Sequence, residues 1–136
     1  MRAFLVATPL ALSLFAAPAL AEVVREPGAA TPEGALVGGL SLLRDGKFDD
    51  WIKGFCSKAK LCLNENSLTS LKRYNLPAKQ RRAAACLREG GAAVEVNRVD
   101  DLSPTEKKLF INCEPTAMPV PFFLVKEGDR WLFSNI

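Results

Sequence analysis

Phe122-Phe123-Leu124-Val125-Lys126-Glu127-Gly128-Asp129-Arg130-Trp131-Leu132-Phe133 is the stretch that decides the fold. Two apolar, aromatic-rich runs flank a polar turn centred on Gly128-Asp129. Glycine reaches the positive φ of a tight turn at little cost, so the pattern predicts an antiparallel hairpin. Upstream, Leu109-Phe110-Ile111-Asn112-Cys113 and Val94-Glu95-Val96-Asn97 alternate in the same way. The chain after Gly91 therefore reads as four strands, over about 94–97, 109–113, 120–125 and 131–133. Ser103-Pro104-Thr105-Glu106 makes the first turn, and Glu114-Pro115-Thr116 begins the second link. Pro119 and Pro121 each remove a ladder donor, which predicts an edge or a bulge where the third strand starts.

Before Gly91 the period is helical. Thr31-Pro32-Glu33 is a helix start, with a capping hydroxyl, a proline suited to the first turn and an acid at the positive end of the dipole. Leu36, Leu40 and Leu43 then recur on one face, with Val37 beside them, and Asp45-Gly46 stops the helix. A second helix over 48–56 places Phe48, Trp51, Ile52 and Phe55 on one face. Asn64-Glu65-Asn66-Ser67 opens a third, with Leu68 and Leu71 on one side. Pro77 interrupts it or starts a new helix. Residues 78–89 continue as helix, burying Ala83, Cys86 and Leu87, until Gly90-Gly91 ends it. Helices followed by an antiparallel meander make an α+β fold. The expected architecture is N-terminal helices packed on one face of a curved four-stranded antiparallel meander. Sheet curvature leaves room for a cavity beneath the helices.

The N-terminus carries an address. Met1-Arg2 supplies one positive charge, an apolar run follows to about Ala17, and Ala19 and Ala21 precede the polar Glu22. These are the parts of a cleaved secretory signal over 1–21. The run contains Pro9 and is shorter than the roughly 20 apolar residues of a spanning helix. Nothing later is long and apolar enough to span a bilayer, so no membrane span is expected in the mature chain. Residues 22–30 read as a disordered leader, and 31–136 as a single domain. The location is exported, periplasmic or extracellular; the compact signal and alanine-rich composition favour a bacterial periplasm.

Composition narrows the chemistry. The 18 basic and 15 acidic residues nearly balance, which argues against nucleic acid as a partner. The absence of histidine removes the commonest general base and metal ligand. Cys56, Cys62, Cys86 and Cys113 lie 6, 24 and 27 positions apart. None forms the close pair typical of zinc sites, so neither metal nor cofactor is expected, and an oxidising compartment makes two disulfides the default. Three pairings are possible. Cys56 and Cys62 bracket a short polar stretch that can turn, whereas Cys86 lies late in a helical segment and Cys113 late in a strand. That favours Cys56–Cys62 with Cys86–Cys113.

The order of elements, the length and the closing hairpin with Trp131 after a Gly-Asp turn resemble the nuclear transport factor 2-like superfamily, a cystatin-like α+β cone. Leu43-Arg44-Asp45-Gly46-Lys47-Phe48-Asp49 is similar to that family's first interhelical turn. The resemblance covers about residues 31–136. It implies a pocket between sheet and helices, used by some members for small-molecule isomerase, cyclase or dehydratase chemistry and by many others for binding or assembly. Enzymatic members usually place Asp, His or Tyr there; this chain has no His and one Tyr, Tyr74. A true cystatin-type inhibitor would carry a Gln-x-Val-x-Gly loop, which the chain lacks.

Trp51, Phe55, Tyr74, Phe122 and Trp131 are the candidates to line an apolar pocket, against a plain role in the core. Asp45, Asp49 and Asp50 are candidate acid–base groups, against simple stabilisation of a helix start. Lys72, Arg73, Lys79, Arg81, Arg82 and Arg88 form a basic cluster that could meet an acidic partner or phosphate, against a solvated helix face. Three function classes follow: a non-catalytic binding module taking a small apolar ligand or an envelope protein, which the missing catalytic residues favour; an enzyme of the same fold using an Asp or Tyr74; and a secreted inhibitor acting through an exposed loop.

Overall fold

A computed structural model describes residues 21–115 and 118–136. The export signal read over 1–21 lies outside the described residues, apart from Ala21. Among the described residues no helix is long and apolar enough to cross a membrane.

Local signals set the helices. Thr31 caps α1 (Pro32–Arg44), its Oγ1 accepting from the Gly34 amide at 3.0 Å. The Leu36, Leu40 and Leu43 face is buried as the spacing requires. In α2 (Phe48–Phe55) the apolar face turns Trp51 fully inward. Asn64 caps α3 (Glu65–Ser70) by accepting from the Ser67 amide at 2.9 Å. A π-helical turn, Leu71–Asn75, then leads into α4 (Leu76–Cys86) without a break. Pro77 sits in the first turn of α4, and the wider turn before it accommodates a ring that excludes a regular bond to the carbonyl four residues back. α4 ends three residues earlier than its sequence pattern predicts, because Leu87–Arg88 leaves the helix as a strand.

The sheet corrects the expected count of four. Its strands are β1 (Glu22–Val24), β2 (Leu87–Arg88), β3 (Ala93–Ser103), β4 (Glu106–Ile111), β5 (Val120–Glu127) and β6 (Arg130–Phe133), all antiparallel, in the order β1-β3-β4-β5-β6 with β2 also on β3. It is a curled antiparallel sheet in a mixed α+β fold. Val94 of β3 pairs with Val24 on one flank and Leu87 on the other. β2 thus takes up ladder groups on the flank of β3 beyond the end of β4 at Ile111, opposite Val96, and β1 takes up those of the opposite flank.

Residues 22–30 are likewise not the disordered leader expected from their composition. Beyond β1, Arg25 pairs with Glu89 at 2.7 Å. The Gly28 amide donates to the Gly34 carbonyl at 3.0 Å, and the Trp131 amide donates to the Ala29 carbonyl at 2.7 Å. Small residues that look structureless alone are held here by backbone bonds to α1 and β6. At the far hairpin, Gly128 adopts φ 62° in the turn between β5 and β6. β6 pairs with β5 only as far as Leu124, so Pro121 stands where one flank of β5 is open.

One core cluster draws on α1, α2, α4 and the sheet. Phe133 is fully buried in it, edge-on to Trp51 at 5.4 Å and to Phe122 at 6.3 Å between ring centroids. The backbone of α1 comes so close at Gly39 that a Cβ there would lie 2.5 Å from the Phe133 ring. Two disulfides brace this core. Cys86–Cys113 ties the end of α4 to the segment after β4, and Cys56–Cys62 closes the loop after α2. Inside that loop, buried Ser57 bonds Glu127 through its hydroxyl, accepts from the Lys60 amide at 3.0 Å and sends its own amide to the Phe133 carbonyl at 2.9 Å. The loop is thereby fastened along the free edge of β6, where Cys56 and Phe133 form a parallel bridge.

Candidate functional site

An apolar cleft of about 190 Å³ lies between α1, α4 and the start of β5. Leu40 and Leu43, three apart on α1, give one wall. Lys79, Arg82 and Ala83 fall at i, i+3 and i+4 on α4, so one face of that helix supplies the second wall. The third wall comes from residues 120–123 of β5, and Asn135 and Ile136 close the far side. The open start of β5 is what leaves the cleft unfilled: β6 does not continue alongside it. Ala83 contributes a methyl where a larger side chain would fill the space. The polar groups of the lining are Lys79, Arg82 and Asn135.

Of the five pocket residues expected from the sequence, the structure puts only Phe122 against this cleft. Trp51 is enclosed in the core against Phe133, and its Nε1 has no hydrogen-bond partner. Trp131 is buried at the hairpin, with Lys107 over its ring at 5.6 Å. Phe55 is half-buried against Gly38 of α1. Tyr74 is 65% exposed, with Arg73 near its ring at 5.9 Å. The five therefore do not form one site. Leu40, Leu43, Ala83 and Ile136 line the cleft without having been singled out for it. Helical spacing marks the first three as inward-facing, and nothing in the sequence says that their faces stop short of meeting.

The three candidate acids lie exposed on the surface, Asp45 and Asp49 in ion pairs and Asp50 in none with the described residues. A bond from the Arg44 guanidinium holds the Asp45 carboxyl below its ordinary range. Asp49 is held low by Lys72, 2.6 Å away. A carboxylate with a lowered pKa is a weaker base, not the poised one that proton abstraction needs. Neither lines the cleft. Ser57 is buried with its hydroxyl bonded to Glu127 and to the Lys60 amide, and neither Ser57 nor Glu127 lines the cleft. Among the described residues no group of three or more Cys, Asp or Glu is arranged to hold a metal ion.

The basic cluster divides. Lys72 is taken by Asp49. Arg88 lies 3.7 Å from Glu95 and donates to the Ala85 and Asn112 carbonyls. Arg73, Lys79, Arg81 and Arg82 form no ion pair or side-chain hydrogen bond with the described residues, and of these only Lys79 and Arg82 border the cleft. No family model matches the chain, and neither does any curated protein or solved structure.

Proposed function

We propose that this chain is an exported, disulfide-stabilised binding module of the cell envelope that takes a small apolar molecule into the cleft between α1, α4 and β5 and carries out no acid–base chemistry on it. The observation that carries this reading is the lining itself. Leucine, alanine, valine, proline and phenylalanine walls favour transfer of an apolar group out of water, while no Asp, Glu, Tyr or Cys side chain borders the space to act on it. About 190 Å³ exceeds the ~150 Å³ that accommodates benzene in an apolar protein cavity. The two disulfides and the signal-like N-terminus support export. Kinship with the nuclear transport factor 2-like superfamily, with the helices covering one face of the curled sheet, fits the helix-first order and the closing Gly128-Asp129 hairpin.

Benzene titration followed by methyl resonances tests the cleft. Saturable shifts at Leu40, Leu43, Ala83 and Val120, abolished in Ala83→Leu while the fold is kept, are the expected result. Shifts confined to other methyl groups, or none at all, would overturn the reading.

A further inference from the structure

We infer that the cleft selects a small apolar carboxylate, an acid with a body about the size of one aromatic ring. The inference rests on the binding reading above and goes further by fixing the charge and size of the occupant.

Charge comes first. Lys79 and Arg82 are one helical turn apart on the face of α4 that borders the cleft, Lys79 half-buried and Arg82 exposed. Neither side chain is bonded to an acidic group of the described residues; Lys72 and Arg88 are paired with carboxylates, and Arg73 and Arg81, which also have no such pair, lie outside the lining. No acidic side chain lines the cleft to offset the two cations. An apolar space bordered by two unpaired cations suits a ligand with an apolar body and one anionic group. A guanidinium beside an ammonium can hold a carboxylate by charge-assisted hydrogen bonds. A ligand bearing a positive charge would instead be repelled.

Size comes second. About 190 Å³ falls below the ~300–1,000 Å³ of sites for drug-sized molecules. A diacyl lipid or a steroid would not fit, and a single ring or a short branched chain would. Asn135 adds one neutral polar group to the lining.

Phenylacetate, 2-phenylethanol and 2-phenylethylamine present nearly the same body with negative, neutral and positive ends. Titrated into the oxidised protein at low salt, phenylacetate is expected to bind about tenfold more tightly than the alcohol, a difference of ~1.4 kcal/mol, and the amine most weakly. Lys79→Gln combined with Arg82→Gln should bring acid and alcohol to equal affinity while both still shift the Leu40 and Leu43 methyl groups. Arg81→Gln, on the same helix but not in the lining, should leave the preference intact. Equal binding of acid and alcohol by the unaltered protein would overturn the carboxylate inference and leave the apolar cleft standing. Failure of all three, with benzene also excluded, would remove both. Loss of the preference in Arg81→Gln as large as in the double variant would assign it to the general charge of the helix and overturn the site.

Discussion

Gly39 shows at the scale of one residue how packing outweighs propensity. Alanine is the better helix former by about 0.5–1 kcal/mol, so replacing a mid-helix glycine normally stabilises. A methyl at Gly39 would lie 2.5 Å from the ring of Phe133, which is enclosed on all sides. At neighbouring Gly38 the corresponding approach is 2.6 Å, but to the half-buried ring of Phe55, which has solvent to swing into. Gly39→Ala should therefore cost about 1–3 kcal/mol as overpacking, and Gly38→Ala should be close to neutral. Urea unfolding of the two variants checks the contrast; equal midpoints would mean that the Phe133 ring has room to move. Individual residues are also where sequence reading reached furthest. Thr31, Asn64 and Gly128 announce their roles because a cap or a turn is completed within a few positions. Tyr74 and Trp51 do not: aromatic character is the same in a core, on a surface and in a pocket, and only distant partners decide among them.

At the scale of elements, the disulfides differ in what they restrain. Cys86–Cys113 spans 27 positions and joins helix to sheet; Cys56–Cys62 spans 6 and closes a loop. Chain-entropy arguments give the longer link about 3.5 kcal/mol and the shorter about 2 kcal/mol. Replacing Cys86 and Cys113 together by alanine should lower the unfolding free energy more than replacing Cys56 and Cys62. The reverse ranking would show that fastening the β6 edge matters more than the long closure. The pairing was legible because each cysteine sits in a segment of clear type. β1 and β2 were not, because strands of three and two residues have too little pattern of their own and exist through β3. The cleft was hidden for a related reason: its walls belong to three elements whose separate periodicities report burial but not the gap between them.

At the scale of the whole molecule, pH enters through surface carboxylates, since the guanidinium of Arg25, raised by its bond to Glu89, stays charged throughout. Glu89, bonded by Arg25, is held low, as are Asp45 and Asp49 by Arg44 and Lys72. A folded pKa below the unfolded one contributes stability above the usual carboxylate range, near ~4, and that contribution is lost as pH falls through the folded value. With no histidine in the chain, unfolding midpoints should stay level between about pH 6 and 8. They should decline only below about pH 4, and by less in high salt, since all three pairs are open to solvent. A step near pH 6.5 in urea melts would contradict this. The class of fold could be read from the order of periods along the chain. The sheet's full width could not, because it depends on where residues 22–24 come to rest.

The place of Phe133 bears on timing. A ribosome delivers Trp51, Gly39 and Phe122 before it delivers the ring that all three close around, and the Ala29 carbonyl waits equally long for the Trp131 amide. A nascent chain of this design has no finished interior to settle into while it is being made. It stays pliable until Phe133 has been made and can join Trp51 and Phe122.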